Sequence, residues 1–102
     1  MPVYLSPLAE SDLESIGDHI AADSPARAVS FVAEIRAHCE KIGQAPRAYR
    51  ARPELGEGIR GCTHGRYIIL FTVDDPDVLI VRVLHGARDL RRFLDDETAE
   101  DG

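Results

Sequence analysis

The residues best equipped for chemistry lie in the second half of the chain. His85 stands three residues after Arg82 and three before Arg88, and Arg60 and Arg66 precede them on neighbouring segments. An imidazole can move a proton near neutral pH, and guanidinium groups hold phosphate oxygens in fixed, bidentate contacts. Cutting RNA through its own 2′-OH asks for more: a base, an acid for the leaving oxygen, and cations around the phosphate. Here the supply runs short. No tyrosine follows Tyr67, no lysine follows Lys41, and the last ten residues are dominated by Asp and Glu. No catalytic set is therefore assigned. Were the chain a nuclease, His85, Arg82, Arg60 and Arg66 would be its working residues.

Each of these residues also has a structural reading. His85-Gly86-Ala87-Arg88 lies where a strand opens into a loop, so His85 can cap the sheet, Gly86 can take an unusual backbone angle, and Arg88 can pair with Asp89 or an acid of the first helix. Arg82 stands among Ile80, Val81, Val83 and Leu84, and an arginine buried there must be paired. An internal carboxylate is the expected partner. Arg47, Arg50 and Arg52 fall in a linker, where a solvated loop and a contact with a partner are equally good accounts. No metal is expected, because His19, His38, His64, His85, Cys39 and Cys62 show no paired ligand spacing. No cofactor is expected either: no glycine-rich phosphate loop is present and no Ser-His-Asp set can be read.

These residues must be positioned by one small domain. The chain has 102 residues, 44% hydrophobic and 29% charged, a composition that supports one core. Its formal net charge of −6 speaks against a general nucleic-acid binder. The charge is uneven, however. Residues 1–23 carry five carboxylates and no Lys or Arg, whereas residues 47–92 carry nine arginines against six acids. Cys39 and Cys62 are expected as reduced thiols, and with no export signal or membrane span the chain is expected in the cytoplasm. Residues 95–102 read as an acidic, disordered tail beyond a domain over 1–94.

The elements follow from period and punctuation. Val3 to Leu5 reads as a strand, and Ser6-Pro7 as a helix start. Ala9, Leu13, Ile16 and Ile20 form one apolar stripe, on a helix ending near Ala22. Asp23-Ser24-Pro25 repeats the start, and Ala28, Phe31, Val32, Ile35, Cys39 and Ile42 line the second helix, with Gly43 read as the residue that ends it. Ala45 to Glu57 has no period. Gly58 to His64 is a weak strand, Gly65-Arg66 a type II′ turn, and Tyr67 to Val73 and Val78 to His85 are strong strands. Asp89 to Leu94 closes the chain in helical turns. The order is β-α-α-β-β-β-α, an α+β fold with an antiparallel sheet under a helical hairpin.

The last two strands are apolar on both sides, with Leu79, Val81 and Val83 read on one face and Val78, Ile80 and Leu84 on the other. A sheet covered on one side should alternate with polar residues on the open side. The closing helix covers part of the second face, and a bound partner is expected to cover the rest.

With that order established, several blocks resemble the ParE/RelE toxin superfamily, and its ParE-like branch in particular. Leu5-Ser6-Pro7-Leu8-Ala9-Glu10-Ser11-Asp12-Leu13-Glu14-Ser15-Ile16 is similar to the family's opening, and Asp18 to Pro25 to its link between helices. Pro53-Glu54-Leu55-Gly56 and Gly58-Ile59-Arg60 resemble the segment entering the sheet. Gly65 to Phe71 and Arg82 to Leu90 resemble its two most diagnostic blocks. The resemblance implies a type II toxin held silent by a cognate, ParD-like antitoxin in a hetero-oligomer. Its target is then DNA gyrase, with ribosome-dependent mRNA cleavage of RelE type, or an inactive toxin-like binder, as the alternatives. Arg60, Arg66, Arg82, His85 and Arg88 become candidates for target contact. Tyr4, Leu8, Phe31, Ile35, Val78, Ile80, Arg50 and Arg52 become candidates for antitoxin contact. The outside of the hairpin and its groove would receive the antitoxin helix.

Overall fold

The computed structural model describes residues 1–94; the expected tail over 95–102 lies outside the described residues. The elements are β1 (Val3–Leu5), α1 (Pro7–Ala21), α2 (Pro25–Gln44), β2 (Arg60–His64), β3 (Tyr67–Asp74) and β4 (Asp77–His85), followed by helical turns over 89–94. The order is the expected β-α-α-β-β-β-α. The sheet runs β1-β4-β3-β2, with β1 parallel to β4 and the other pairs antiparallel.

Both helices start as their sequences dictate. Ser6 Oγ accepts the Ala9 amide at 3.0 Å, and Ser24 Oγ accepts that of Arg27 at 3.2 Å, each followed by proline at the first helical position. Ser6 Oγ also donates to the Val81 carbonyl at 2.7 Å, so one hydroxyl caps α1 and pins it to β4. Ala9, Leu13 and Ile16 of α1, with Ile35, Cys39 and Ile42 of α2, pack on Ile69, Phe71, Val78, Ile80 and Val83 of the sheet.

Gly43 does not end α2, which runs through it to Gln44. A Cβ there would lie 2.5 Å from Val3 Cγ2 and 2.8 Å from the Met1 carbonyl. The Met1 amino group donates to the Gly43 carbonyl at 2.9 Å. The glycine serves close approach of the N-terminal strand rather than a left-handed cap. The β2–β3 turn is as expected: Gly65 has φ +60°, and Arg66 stays outside the positive-φ region, as a II′ turn requires.

The face assignments along β4 need correction. Phe71 pairs with Ile80 but Leu70 pairs with Arg82, so one residue of β4 is extra at this point. A bulge of this kind reverses the alternation beyond it. Val78, Ile80 and Val83 therefore all face the helical hairpin, and Leu84 faces away.

The second face is also largely covered by the chain itself. Leu55 and Ile59, from the segment before β2, pack with Ile68, Leu70 and Leu84, and Val81, Leu90, Phe93 and Leu94 close over them. The expectation that a partner must complete this face is thus overturned: the 3-10 turn over Pro53–Leu55 and the closing helical turns supply the cover. Leu79 alone of these strand residues stays exposed. Leu90→Asp should uncover Ile68 and Leu84, raising hydrophobic-dye fluorescence several-fold over the parent chain. No rise in the variant would mean that the closing turns do not seal this face in solution.

Candidate functional site

Two surfaces emerge, one on the outside of the hairpin and one at the end of the sheet. The helices cross closely at Gly17, where a Cβ would lie 3.4 Å from Val32 Cγ2. Beside this crossing lies an open groove of about 960 Å³, floored by Leu13, Gly17, Ala28, Val29 and Val32 and rimmed by Glu10, Glu14, Asp18 and Arg36. Arg36 forks onto Glu10, with Nη1 and Nη2 at 3.1 and 2.8 Å from its two oxygens. That leaves Glu14 and Asp18 without an opposing cation in the groove lining. An apolar floor with an acidic rim suits an amphipathic segment carrying basic residues on its flank.

The large exposed apolar residues include Val29 at 74%, Leu8 at 59% and Tyr4 at 57%. Leu8 and Tyr4 are among the residues expected at a partner surface, and both are exposed; Val29, the most exposed of the three, is not among them. Its signal is a second line on α2, Pro25-Val29-Val32-Arg36, at helical spacing beside the core stripe. Ile35, Val78 and Ile80 are corrected: all three are fully buried between the hairpin and the sheet, with no side-chain surface open to a partner. The reason is the helical and strand geometry that makes them core, with Ile35 one turn before Cys39 and the two strand residues on the hairpin side of β4. Phe31 is half-buried, its ring 5.5 Å from that of His64 and 5.6 Å from that of Tyr67. Arg50 is exposed, with its carbonyl accepting the Gly61 amide, and Arg52 is bound to Glu54 at 2.7 Å.

At the sheet end, most candidate target contacts are already engaged within the chain. Arg82 forks onto Asp12 of α1, Nε to Oδ2 at 2.8 Å and Nη2 to Oδ1 at 2.9 Å. Asp12 Oδ2 also accepts the Val83 amide at 2.9 Å. The internal carboxylate expected for Arg82 is therefore Asp12, and its bonding holds the guanidinium even further towards the charged form. Arg60 donates to the Tyr49 carbonyl at 2.7 Å. His85 Nδ1 accepts the Arg88 amide at 3.2 Å, and its ring meets the Tyr67 ring edge-on at 5.4 Å. Arg88 Nε pairs with Asp89 at 3.1 Å. Gly86 does not take a positive φ; its amide donates to the Arg66 carbonyl at 2.9 Å, which ties the loop after β4 to the β2–β3 turn. Arg66 and Arg88 remain exposed beside His85. Among the described residues, no group of three or more His, Cys, Asp or Glu is arranged to hold a metal. Nor is any helix long and apolar enough to cross a membrane.

Residues 3–90 match the family described as "ParE toxin of type II toxin-antitoxin system, parDE". The chain belongs to this family. The fold agrees with that of a chain in the chromosomal ParDE toxin–antitoxin system from P. aeruginosa: TM-score 0.74 at 24% identity, covering 83% of this chain and 95% of that one. It is also similar to a chain of the RelBE2 toxin–antitoxin complex from Mycobacterium tuberculosis: TM-score 0.60 at 25% identity, covering 82% and 95%. No curated protein matches the sequence. The protein is thus a type II toxin of the ParE/RelE superfamily.

In this ParE-family toxin the Asp12–Arg82 tie is a structural device, and its removal has a predictable cost. Asp12→Ala strands both the Arg82 fork and the Val83 amide. The side chains retain 14% and 26% exposure, so the loss belongs at the low end for a broken buried pair, about 2–3 kcal/mol by urea denaturation. A change below about 0.5 kcal/mol would show that the tie does not hold the fold.

Asp89 carries a pH signature. The Arg88 guanidinium beside it, and then the His85 amide, hold its carboxyl below its ordinary 3.8 against the opposing effect of burial. A depressed carboxyl stabilises the fold above the unfolded value, and that contribution disappears as pH falls through the folded one. The segment over 86–94 should therefore loosen as pH drops below 3.8, seen as faster amide exchange around Phe93. Asp89→Asn should already be loose at neutral pH and should lose this acid step.

Proposed function

We propose that this toxin arrests growth by binding and inhibiting DNA gyrase, and that a cognate ParD-like antitoxin silences it through the hairpin groove. The observation that carries the first half is the engagement of the cationic residues a nuclease would need. Arg82 is spent on Asp12 and Arg60 on the Tyr49 carbonyl. Turning Arg82 onto a scissile phosphate would give up the fork that ties α1 to β4, whereas Arg60 commits a single nitrogen, to the Tyr49 carbonyl. Beside His85 lie Tyr67, edge-on to its ring, and Asp89, whose carboxylate accepts the His85 amide and pairs with Arg88. Exposed Arg66 and Arg88, flanking His85, suit contact with a target surface better than acid–base turnover.

The antitoxin half rests on the groove beside Gly17, with its apolar floor, its acidic rim and the exposed Leu8 and Val29 along the hairpin. The acidic balance of the toxin favours an antitoxin segment with lysine or arginine on its flank. The toxin–antitoxin complexes among the fold relatives support an antitoxin partner.

Mixed with purified gyrase, the toxin should block supercoiling at stoichiometric excess or trap cleaved DNA, and Arg66→Ala with Arg88→Ala should weaken this about tenfold or more. Full supercoiling at saturating toxin removes gyrase as the target. If the same preparation instead cuts mRNA at codon-spaced positions in a translating extract, and His85→Ala abolishes the cuts, the RelE-type reading takes its place. If induction of the chain alone leaves growth unaffected, the inactive-binder reading stands.

A further inference from the structure

Neither surface described above uses Cys62, His38 or His64. Cys62 Sγ lies 3.1 Å from His38 Nε2, and His38 Nδ1 lies 2.9 Å from His64 Nδ1. The cysteine and His64 come from β2 and His38 from α2, so the three meet only through the docking of hairpin on sheet. All three are half-buried, and the Phe31 ring, edge-on at 5.5 Å, restricts rotation of His64.

A bond between two Nδ1 atoms requires one to carry the proton and the other the lone pair. With His38 as donor, its Nε2 lone pair faces the thiol and can accept its proton. The Nδ1 proton can then shift to His64, so that positive charge need not rest on His38. That matters because burial, together with the charges of His64 and Lys41, holds His38 below the ordinary imidazole range. Burial also pushes the Cys62 thiol up, against the pull of Lys41, so the resting sulfur keeps its proton and depends on a base to lose it. A nucleophile, a base in hydrogen-bond reach, and a third group orienting the base are the parts of an activated thiol.

We propose that Cys62, His38 and His64 form a thiol-exchange site for low-molecular-weight disulfides. The Cys62 proton moves to His38 Nε2, and the thiolate attacks one sulfur of the incoming disulfide. A sulfur–sulfur bond forms to Cys62 as the original one breaks, and the departing thiolate takes the proton back from the imidazole. One disulfide is exchanged for another, so no further oxidant enters. Cys39 does not compete: it is fully buried and its thiol is pushed up to about 11.

The test uses the full native chain with glutathione disulfide as probe, the adduct being followed by intact mass and located by peptide mapping. One adduct is expected, on Cys62, forming about tenfold or more faster than in a His38→Gln variant. Its rate should level off between about pH 6 and 8, where imidazole assistance operates. His64→Phe should slow the reaction and displace that plateau, which a purely structural histidine would not do. Equal rates in the parent and His38→Gln overturn the proposal, as does an adduct on Cys39. Should His38→Gln fail to fold, the profile of the parent chain decides: a rate climbing tenfold per pH unit through neutrality, with no break, is that of an unassisted thiol and ends the claim.

Discussion

A single carboxylate, Asp12 on α1, joins helix to sheet where the sheet would otherwise be open. β1 is only three residues long and its pairing with β4 ends at Ile80. Beyond that point the outer edge of β4 has no strand neighbour among the described residues, and a bulge swings Arg82 out of the regular alternation. Ser6 takes the Val81 carbonyl, Asp12 takes the Val83 amide and the Arg82 fork, and Asp89 takes the His85 amide. Side chains thus stand in for a missing strand. Bare edge amides invite pairing with other chains, and this arrangement closes them. It also fixes α1 on the sheet, and with it the hairpin and its groove.

That constraint shapes what the toxin has left to offer. Arg82 is held by the fork onto Asp12, Arg60 gives one bond to the Tyr49 carbonyl, and the far face of the sheet is largely covered by residues 53–59 and 86–94. The surfaces left open among the described residues include the outside of the hairpin, with its acidic rim, and a small exposed cationic corner around His85. The groove and the cationic corner lie on different elements, so under the proposed function an antitoxin in the groove need not cover the residues around His85 directly.

Much of the fold was legible because local signals agreed with one another. Ser6-Pro7 and Ser24-Pro25 announced both helices, the four-three-four stripe from Ala9 to Ile20 gave the buried side of α1, and Gly65-Arg66 gave the hairpin turn. The misreadings share a cause. Gly43 looks like a helix terminator until the N-terminal strand is seen pressed against it. The alternation along β4 looks regular until one extra residue near Val81 reverses it. Ile35 on α2 and Val78 and Ile80 on β4 are buried between hairpin and sheet, which only the docking of the two layers decides, and nothing local reveals that Leu55 and Ile59 return to cover the second side.

By itself the sequence determined the element order, the family, and the shortage of acid–base residues, since each of these is carried by residue type and short-range spacing. Only the tertiary structure decided which charges are free. Asp12 and Arg82 are seventy residues apart, and no periodicity links them; the pair exists because α1 crosses the bare edge of β4. The meeting of Cys62 with His38 and His64 has the same origin. Spacing along the chain argued against any cluster there, and the docking of α2 on β2 created one.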